Sequence, residues 1–343
     1  MRKITATSRR IWHCVVALCF SSCGGIQNSI NPAGPQAENL SRLWWLMFIV
    51  CSIVFVLVMI ALLLALRKRT PESDTMPVLE PPADQERRKR NVVISAVTMT
   101  VIILFVFLIA SFSAGRSMTA ELANKNGLSI EVTGHQWWWE VRYQDVDASN
   151  IFTTANEIHI PVGVPVTFSL RATDVIHSFW VPNLSGKKDL IPGKINTIWL
   201  QADKPGVYRG QCAEYCGLQH AKMALWIVAE PQEQFNAWRQ NQTQTSMPPV
   251  SDPQKRGQQV FLSSTCVMCH AINGTPAGSN IGPNLTHVAS RNMIAAATMT
   301  NTREHLAHWI RDSQSVKPGN RMPQHNFNEA DLQSLLDYLQ NLK

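Results

Sequence analysis

Much that a self-sufficient enzyme would carry is missing from these 343 residues. No nucleophile stands beside a base, no metal site is left open for a substrate, and no internal repeat is visible. A chain of this kind points to a relay of something made or used elsewhere. Much of the excess positive charge sits in two places, the first ten residues and a short loop between two apolar runs, so the formal charge of +7 is no nucleic-acid signal. Cysteine is thinly spread. Of eight, Cys14, Cys19 and Cys23 lie near the start and Cys51 lies in a long apolar run, which leaves two close pairs, Cys212/Cys216 and Cys266/Cys269.

What is present sorts by hydropathy. Arg2, Lys3, Arg9 and Arg10 precede the apolar stretch Ile11 to Phe20, too short to span a bilayer. Residues 1–23 therefore read as an export signal. Phe20-Ser21-Ser22-Cys23 resembles a lipoprotein cleavage box with Cys23 as the candidate lipidated residue. Ordinary cleavage and an uncleaved anchor are the alternatives. Two longer runs, 44–66 and 92–113, each meet the ~20 residues that a transmembrane helix needs. Loop 67–91 between them carries Arg67, Lys68, Arg69 and Arg87-Arg88-Lys89-Arg90, which holds it in the cytoplasm. The expectation is a multi-pass protein of the bacterial inner membrane, its long C-terminal part on the periplasmic side.

In that part, residues 127–231 read as β-structure. Leu128–Thr133, Pro165–Leu170 and Ile195–Leu200 alternate apolar and polar residues between Gly and Pro turns, which suggests a sandwich or barrel. Residues 232–253 are rich in Gln, Asn, Thr, Ser and Pro after a short helical start and read as a linker. From 254 to 343 the pattern is helical; Leu332, Leu335, Leu336 and Leu339 fall on one face behind an Asn328 cap.

Both cysteine pairs sit in an oxidising compartment, where plain disulfides are one reading. Their surroundings offer another. Cys212-x-x-x-Cys216, His220 and Met223 place thiolate, imidazole and thioether within twelve residues, a set that favours copper. Two thiolates can bridge two ions, with His177 and His220 as end ligands and Met223 and the Glu214 carbonyl completing the pair. Cys266-Val-Met-Cys269-His270 is the signature of covalent haem c, with His270 as the proximal ligand. Downstream, Met322-Pro323 offers a sixth ligand, for which Met293 and Met299 compete. His287, His305, His308 and His325 fit no ligand pattern.

The run from Gly134 to about Trp238 closely resembles subunit II of haem–copper cytochrome c oxidases. The matching residues are Gly134-His-Gln-Trp137-Trp-Trp139, Asp174-Val-Ile-His177, Ile191-Pro-Gly193, Pro205-Gly-Val-Tyr208 and Gly210-Gln-Cys212 to Met223. Residues 254–343 resemble class I cytochromes c, with Gly282-Pro-Asn-Leu285 and Met322-Pro323 in place. The fusion resembles the caa-type oxidases. The resemblance implies a multidomain chain: a two-helix transmembrane hairpin, an all-β cupredoxin-like Greek-key sandwich and an all-α cytochrome c domain. It implies binuclear copper A on His177, Cys212, Glu214 (carbonyl), Cys216, His220 and Met223, and haem c on Cys266, Cys269, His270 and Met322, a His/Met pairing that raises the potential. It further implies Mg or Mn at the Glu214 side chain, where the catalytic subunit docks, and electron entry to copper at Trp137. In a strand, Trp137 and Trp139 would share one face and Trp138 the other, which makes a core role the competing reading for any of them.

The implied activity is that of a subunit of a proton-translocating cytochrome c oxidase. Electrons from a cytochrome c donor would pass through haem c and copper to catalytic subunit I, where O2 is reduced to water. A nitric oxide reductase with the same input subunit is the alternative; a copper-delivery protein or a tethered carrier fits fewer of the motifs. One departure stands out: the Glu-x-x-Trp-Thr-x-x-Pro that opens the second span in many relatives is replaced by Glu86-Arg-Arg-Lys-Arg-Asn-Val-Val. That leaves the proton route open, as the sequence also leaves the donor and the partner's haem type.

Overall fold

The computed structural model describes residues 25–67, 83–119 and 127–343. The segment holding Cys14, Cys19 and Cys23 lies outside them. The described residues separate into two compact units: one holds 39–67 and 83–119, the other 25–38 and 127–343.

Helix α1, Pro35–Arg67, beyond its first turn, and helix α2, Ala83–Thr119, build the first unit. At 1.5 Å per residue, α1 is about 50 Å long, more than the hydrocarbon thickness of a bilayer. Apolar side chains stand exposed along each helix, among them Phe55, Leu57, Leu64, Phe105, Leu108 and Phe112. Such surfaces are stable only when covered by lipid or by other apolar helices. Glu86 lies exposed in the first turn of α2.

The second unit begins with residues 26–37, which lie along the β-domain. Ala33 N–H donates to the Asn183 carbonyl and accepts through its own carbonyl from Asp203 N–H, both at 2.7 Å, and Gln36 Nε2 donates to Trp199 O at 2.9 Å. The β-domain has ten strands: β1 Leu128–His135, β2 Trp138–Gln144, β3 Phe152–Ala155, β4 Glu157–Pro161, β5 Val166–Ala172, β6 His177–Trp180, β7 Lys188–Leu190, β8 Asn196–Leu200, β9 Gly206–Cys212 and β10 Ala224–Glu230. They form two five-stranded sheets, in orders β3-β2-β1-β5-β8 and β4-β10-β9-β6-β7. Alternation sets the core. Ile130 and Val132 on β1, Phe168 and Leu170 on β5, and Leu225 and Ile227 on β10 are fully buried between the sheets. The parallel register Val132↔Leu170 and the antiparallel register Leu225↔Gly210 hold these rows in line.

The short helical start expected for residues 232–253 is present and takes up half of the segment. Helix α3, Gln232–Gln242, buries Phe235 and lays Trp238 on His159, with ring centroids 4.1 Å apart and planes nearly parallel. The two aromatic side chains, one helical turn apart, outweigh the polar composition that suggested a linker.

The C-terminal domain is helical: α4 Asp252–Ser263, α5 Arg303–Arg311, α6 Ser313–Val316 and α7 Glu329–Leu339, with a small hairpin of β11 Met293–Ile294 and β12 Met299–Thr300. Ser251 and Gln254 form a reciprocal capping box on α4, and Asn328 caps α7. Leu332, Leu335, Leu336 and Leu339 are buried. Helices α4 and α7 cross at Gly257, where a Cβ would lie 1.9 Å from the Ser334 carbonyl, so only glycine permits this approach.

Candidate functional site

Strand β6 starts at His177 and strand β9 ends at Cys212, and these strands are hydrogen-bonded neighbours. That pairing brings a histidine 35 residues upstream onto the cysteine loop. His177 Nδ1 lies 3.9 Å from Cys212 Sγ, the two sulfurs are 3.8 Å apart, and Cys216 Sγ lies 3.7 Å from His220 Nδ1 and 3.8 Å from Met223 Sδ. The Glu214 carbonyl stands 3.1 Å from Cys212 Sγ. One imidazole therefore flanks each sulfur. Both cysteines are free thiols and buried, as are His177 and Met223. The ligand atoms of His177, Cys212 and Cys216 all fall within 4.8 Å of one another.

Electrostatics favour loss of the first proton from this pair. Cys212 is drawn down to about 3, chiefly by its hydrogen bond with Cys216, then by His177 and the backbone around Glu214 and Ser178, against the opposing effect of burial. Cys216 moves the other way, because a thiolate at Cys212 and burial both resist a second charge. A bound cation is what would let both sulfurs ionise. Burial disfavours a charged His177, but its contacts with Cys212 and Asp174 more than compensate and raise its pKa.

Asp174 is the residue whose role the sequence does not assign, although it opens the Asp174-Val-Ile-His177 motif. Its Oδ1 sits 2.9 Å from His177 Nε2, while Oδ2 accepts from Gln136 N–H at 2.7 Å. Carboxylate partners of this kind fix the orientation of a metal-binding imidazole and leave the other nitrogen free to ligate. Gly134 serves the same imidazole through absence: a Cβ there would lie 2.8 Å from His177 Cδ2.

The three tryptophans separate. β2 begins at Trp138, so Trp137 occupies the β1–β2 turn and strand alternation does not apply to it. Its Nε1–H donates to the Cys216 carbonyl at 2.9 Å, beside Gln136 Nε2, which donates to the same oxygen at 2.9 Å. Trp139 is wholly buried against Phe179 and His177, and Trp138 stacks on His135. Gly217, at φ 111°, lets the loop pass under Trp137, since a Cβ would stand 3.1 Å from its ring.

The Glu214 carboxylate pairs with Lys187 at 3.6 Å, with both side chains about half exposed. Carbonyl and carboxylate of one residue thus face two different environments.

In the C-terminal domain, Cys266, Cys269, His270 and Met322 line one apolar cleft of about 330 Å³. His270 Nδ1–H donates to the Pro283 carbonyl at 2.7 Å, which leaves Nε2 unprotonated, and burial holds the ring neutral. Gly282 packs against the ring, where a Cβ would lie 2.8 Å from Cε1. The Met322 carbonyl accepts from Ser313 Oγ at 2.6 Å and from Gln314 Nε2 at 2.9 Å, which anchors that loop. Met293 and Met299 lie on the β11–β12 hairpin and are not among the residues lining the cleft. His325 does line it; His287 is tied to the Lys343 and Gln244 carbonyls, and His305 and His308 bond to Thr300 and Ser315. The opposite wall comes from the β-domain: His135, Gln136, Trp137, Trp138 and Asn156.

Comparison with known proteins agrees with both halves. Residues 147–230 match the family described as cytochrome c oxidase subunit II, periplasmic domain, and residues 254–343 match cytochrome c. Cytochrome c oxidase subunit 2 of Alkalihalophilus pseudofirmus is 36% identical over 340 residues, covering 96% of this chain and 95% of the relative. The Bacillus subtilis protein of the same name is 26% identical over 349 residues, covering 96% of each chain. Among solved structures, the periplasmic domain of cytochrome oxidase subunit II from Bradyrhizobium japonicum is 32% identical and aligns with 34% of this chain and 92% of its own, at a TM-score of 0.32. Two long apolar helices, a β-sandwich with the cysteine loop and a helical cytochrome c domain, in a chain alignable with such a relative almost from end to end, place it in the cytochrome c oxidase subunit II family, in the form that carries a fused C-terminal cytochrome c domain.

Proposed function

We propose that this chain is the electron-entry subunit of a respiratory haem–copper oxidase and relays electrons from a cytochrome c donor to a catalytic subunit that reduces O2 to water. The observation that carries the reading is the position of Trp137. Trp137 lines the cleft that holds Cys266, Cys269 and His270, and its indole N–H is hydrogen-bonded to the Cys216 carbonyl. One residue therefore borders both candidate redox sites.

The donor set fits copper. Two thiols are held at 3.8 Å without a bond between them, and imidazole, thioether and carbonyl atoms approach from outside the pair. In this reading His177, Cys212, Cys216, His220, Met223 and the Glu214 carbonyl hold a binuclear copper A. The cleft fits a covalent haem c: both thiols are free, His270 offers Nε2, and Met322 is on a loop fixed by Ser313 and Gln314. When bound, the two groups supply one-electron carriers, and the protein supplies ligation, burial and orientation. Asp174 keeps His177 in place, Gln136 and Trp137 hold the Cys216 carbonyl, and the apolar wall keeps water from the cleft.

The Glu214 carboxylate, half exposed and paired with a half-exposed lysine, is available to a Mg or Mn ion at the contact with subunit I. The helices α1 and α2 anchor the chain in the inner membrane, with both C-terminal domains on the periplasmic side. Fusion of the cytochrome domain raises its effective concentration at the copper domain, so a soluble donor need meet only the haem.

The test is gas consumption by the complex purified through this chain, with reduced cytochrome c as donor. Oxygen uptake that cyanide blocks is the expected result. Nitric oxide consumption with negligible oxygen uptake would contradict it and move the chain to the reductase class.

A further inference from the structure

The loop that carries Met322 and the loop that carries His220 and Met223 are tied directly to each other. Gln219 Nε2 donates to the Pro318 carbonyl at 2.6 Å, and the Lys222 ammonium donates to the Val316 carbonyl. Between these two acceptors, Lys317 reaches back the other way. Its ammonium, 3% exposed as a residue, donates to the Trp137 carbonyl at 2.8 Å and to the Ala295 carbonyl at 3.4 Å. Both acceptors are main-chain oxygens, and among the described residues no carboxylate pairs with it.

Ala295 belongs to the β11–β12 turn, where Ala295, Ala296 and Ala297 have φ of 54°, 57° and 55°. Three successive non-glycine residues in the left-handed region are costly and persist only where surrounding contacts hold them. Here those contacts come from the copper domain. Ala224 N–H donates to the Ala296 carbonyl at 3.2 Å, and Thr298 Oγ1 donates to the Lys222 carbonyl at 3.4 Å. Lys317 thus bridges this turn and the Trp137 turn, and residues of both turns line the cleft beside it.

A buried ammonium without a carboxylate is expensive, and burial, with the Lys222 charge nearby, lowers its pKa to about 7. A leucine or methionine would fill the space at less cost to folding. The lysine's two directed bonds are what an apolar side chain could not supply.

We infer that Lys317 is a positioning residue: it pins the haem cleft against the Trp137 turn and so sets the rate at which an electron crosses from the cytochrome domain to the copper loop. This rests on the reading of the two sites as redox centres. A single electron crosses, one centre is oxidised and the other reduced, and no bond or proton changes place. Transfer of that kind falls steeply with separation, so a loosened cleft slows it without touching any ligand.

The experiment uses the intact oxidase carrying Lys317→Met or Lys317→Arg. Haem c is reduced by a flash with a photoexcited ruthenium complex, and its reoxidation is followed. Lys317→Met is expected to slow this internal step by about tenfold or more, the scale on which ångström misplacement acts. The bimolecular reduction of haem c by donor, the haem band and the copper paramagnetic signal stay as in the wild type. Lys317→Arg, which keeps the donors, recovers most of the rate. An internal rate in Lys317→Met within about twofold of wild type, well below what misplacement produces, would overturn the proposal. Should Lys317→Met not assemble, Lys317→Leu, which likewise has no donor, is read in the same way. Amide exchange in the wild-type complex gives an independent check: Ala224 N–H, whose acceptor lies across the interface, should exchange slowly, and exchange as fast as in an exposed loop would overturn the proposal. If wild-type haem c reduction is never followed by copper reduction, the relay itself fails; if it is, and Lys317→Met matches it, only the latch fails.

Discussion

Cys216→Ser is expected to abolish the mixed-valence copper signal in electron paramagnetic resonance while leaving the haem band intact. Cys216 Sγ is the hub of the loop, within 3.8 Å of Cys212, His220 and Met223 at once. A hydroxyl in its place is a poor ligand for copper and cannot bridge two ions as a thiolate does. Burying that hydroxyl costs roughly 1–3 kcal/mol, too little to unfold a sandwich with two full sheets, so the loss reports the site and not the fold. The candidate haem ligands Cys266 and Met322 pack on a separate core built on Leu332, Leu335 and Leu336, which the substitution does not reach. Survival of both signals would remove Cys216 from the copper set. Electron flow to the catalytic subunit should fall to background in the same variant.

Met322→Leu is the counterpart in the cytochrome domain. With Cys266 and Cys269 unchanged, a haem bound through them should stay on the chain through denaturation. The thioether that favours the reduced state is gone, and the potential should fall by on the order of 0.1 V or more, within the roughly 0.8 V over which axial ligands tune haem. Leucine is close in volume to methionine and should cost less than about 1.5 kcal/mol in packing. Redox titration of the purified complex checks this. An unchanged potential would move the sixth ligand elsewhere, and the place to look is Met268 or His325, which also line the cleft, before Met293 or Met299, which do not.

Sequence pattern carries the architecture a long way because both domains obey simple periodicities. The alternation in Leu128–Thr133 forms β1, and the four leucines behind Asn328 form the buried face of α7. The ligand candidates are legible because thiol, imidazole and thioether at such short spacing make a donor set for a soft metal and for little else. Three features are not legible. The short helical start expected at 232 forms helix α3, but what anchors it, Phe235 and Trp238 packing on the β-domain, is a tertiary effect that composition does not reveal. The strand alternation expected to place Trp137 does not reach it, since β2 starts one residue later, and only the turn accounts for the reach of its indole to Cys216. Asp174 and Lys317 draw no attention in the sequence because a carboxylate near a histidine and a lysine before Pro-Gly are common; their meaning depends on partners 3 and 180 residues away.

The most direct test of the account is the order of reduction when the anaerobic oxidised complex is mixed rapidly with reduced cytochrome c. Haem c should be reduced first, in a step whose rate rises with donor concentration, and copper second, in a step whose rate does not. Copper reduced first, or at a rate that follows donor concentration while haem c lags, would contradict the relay through Trp137.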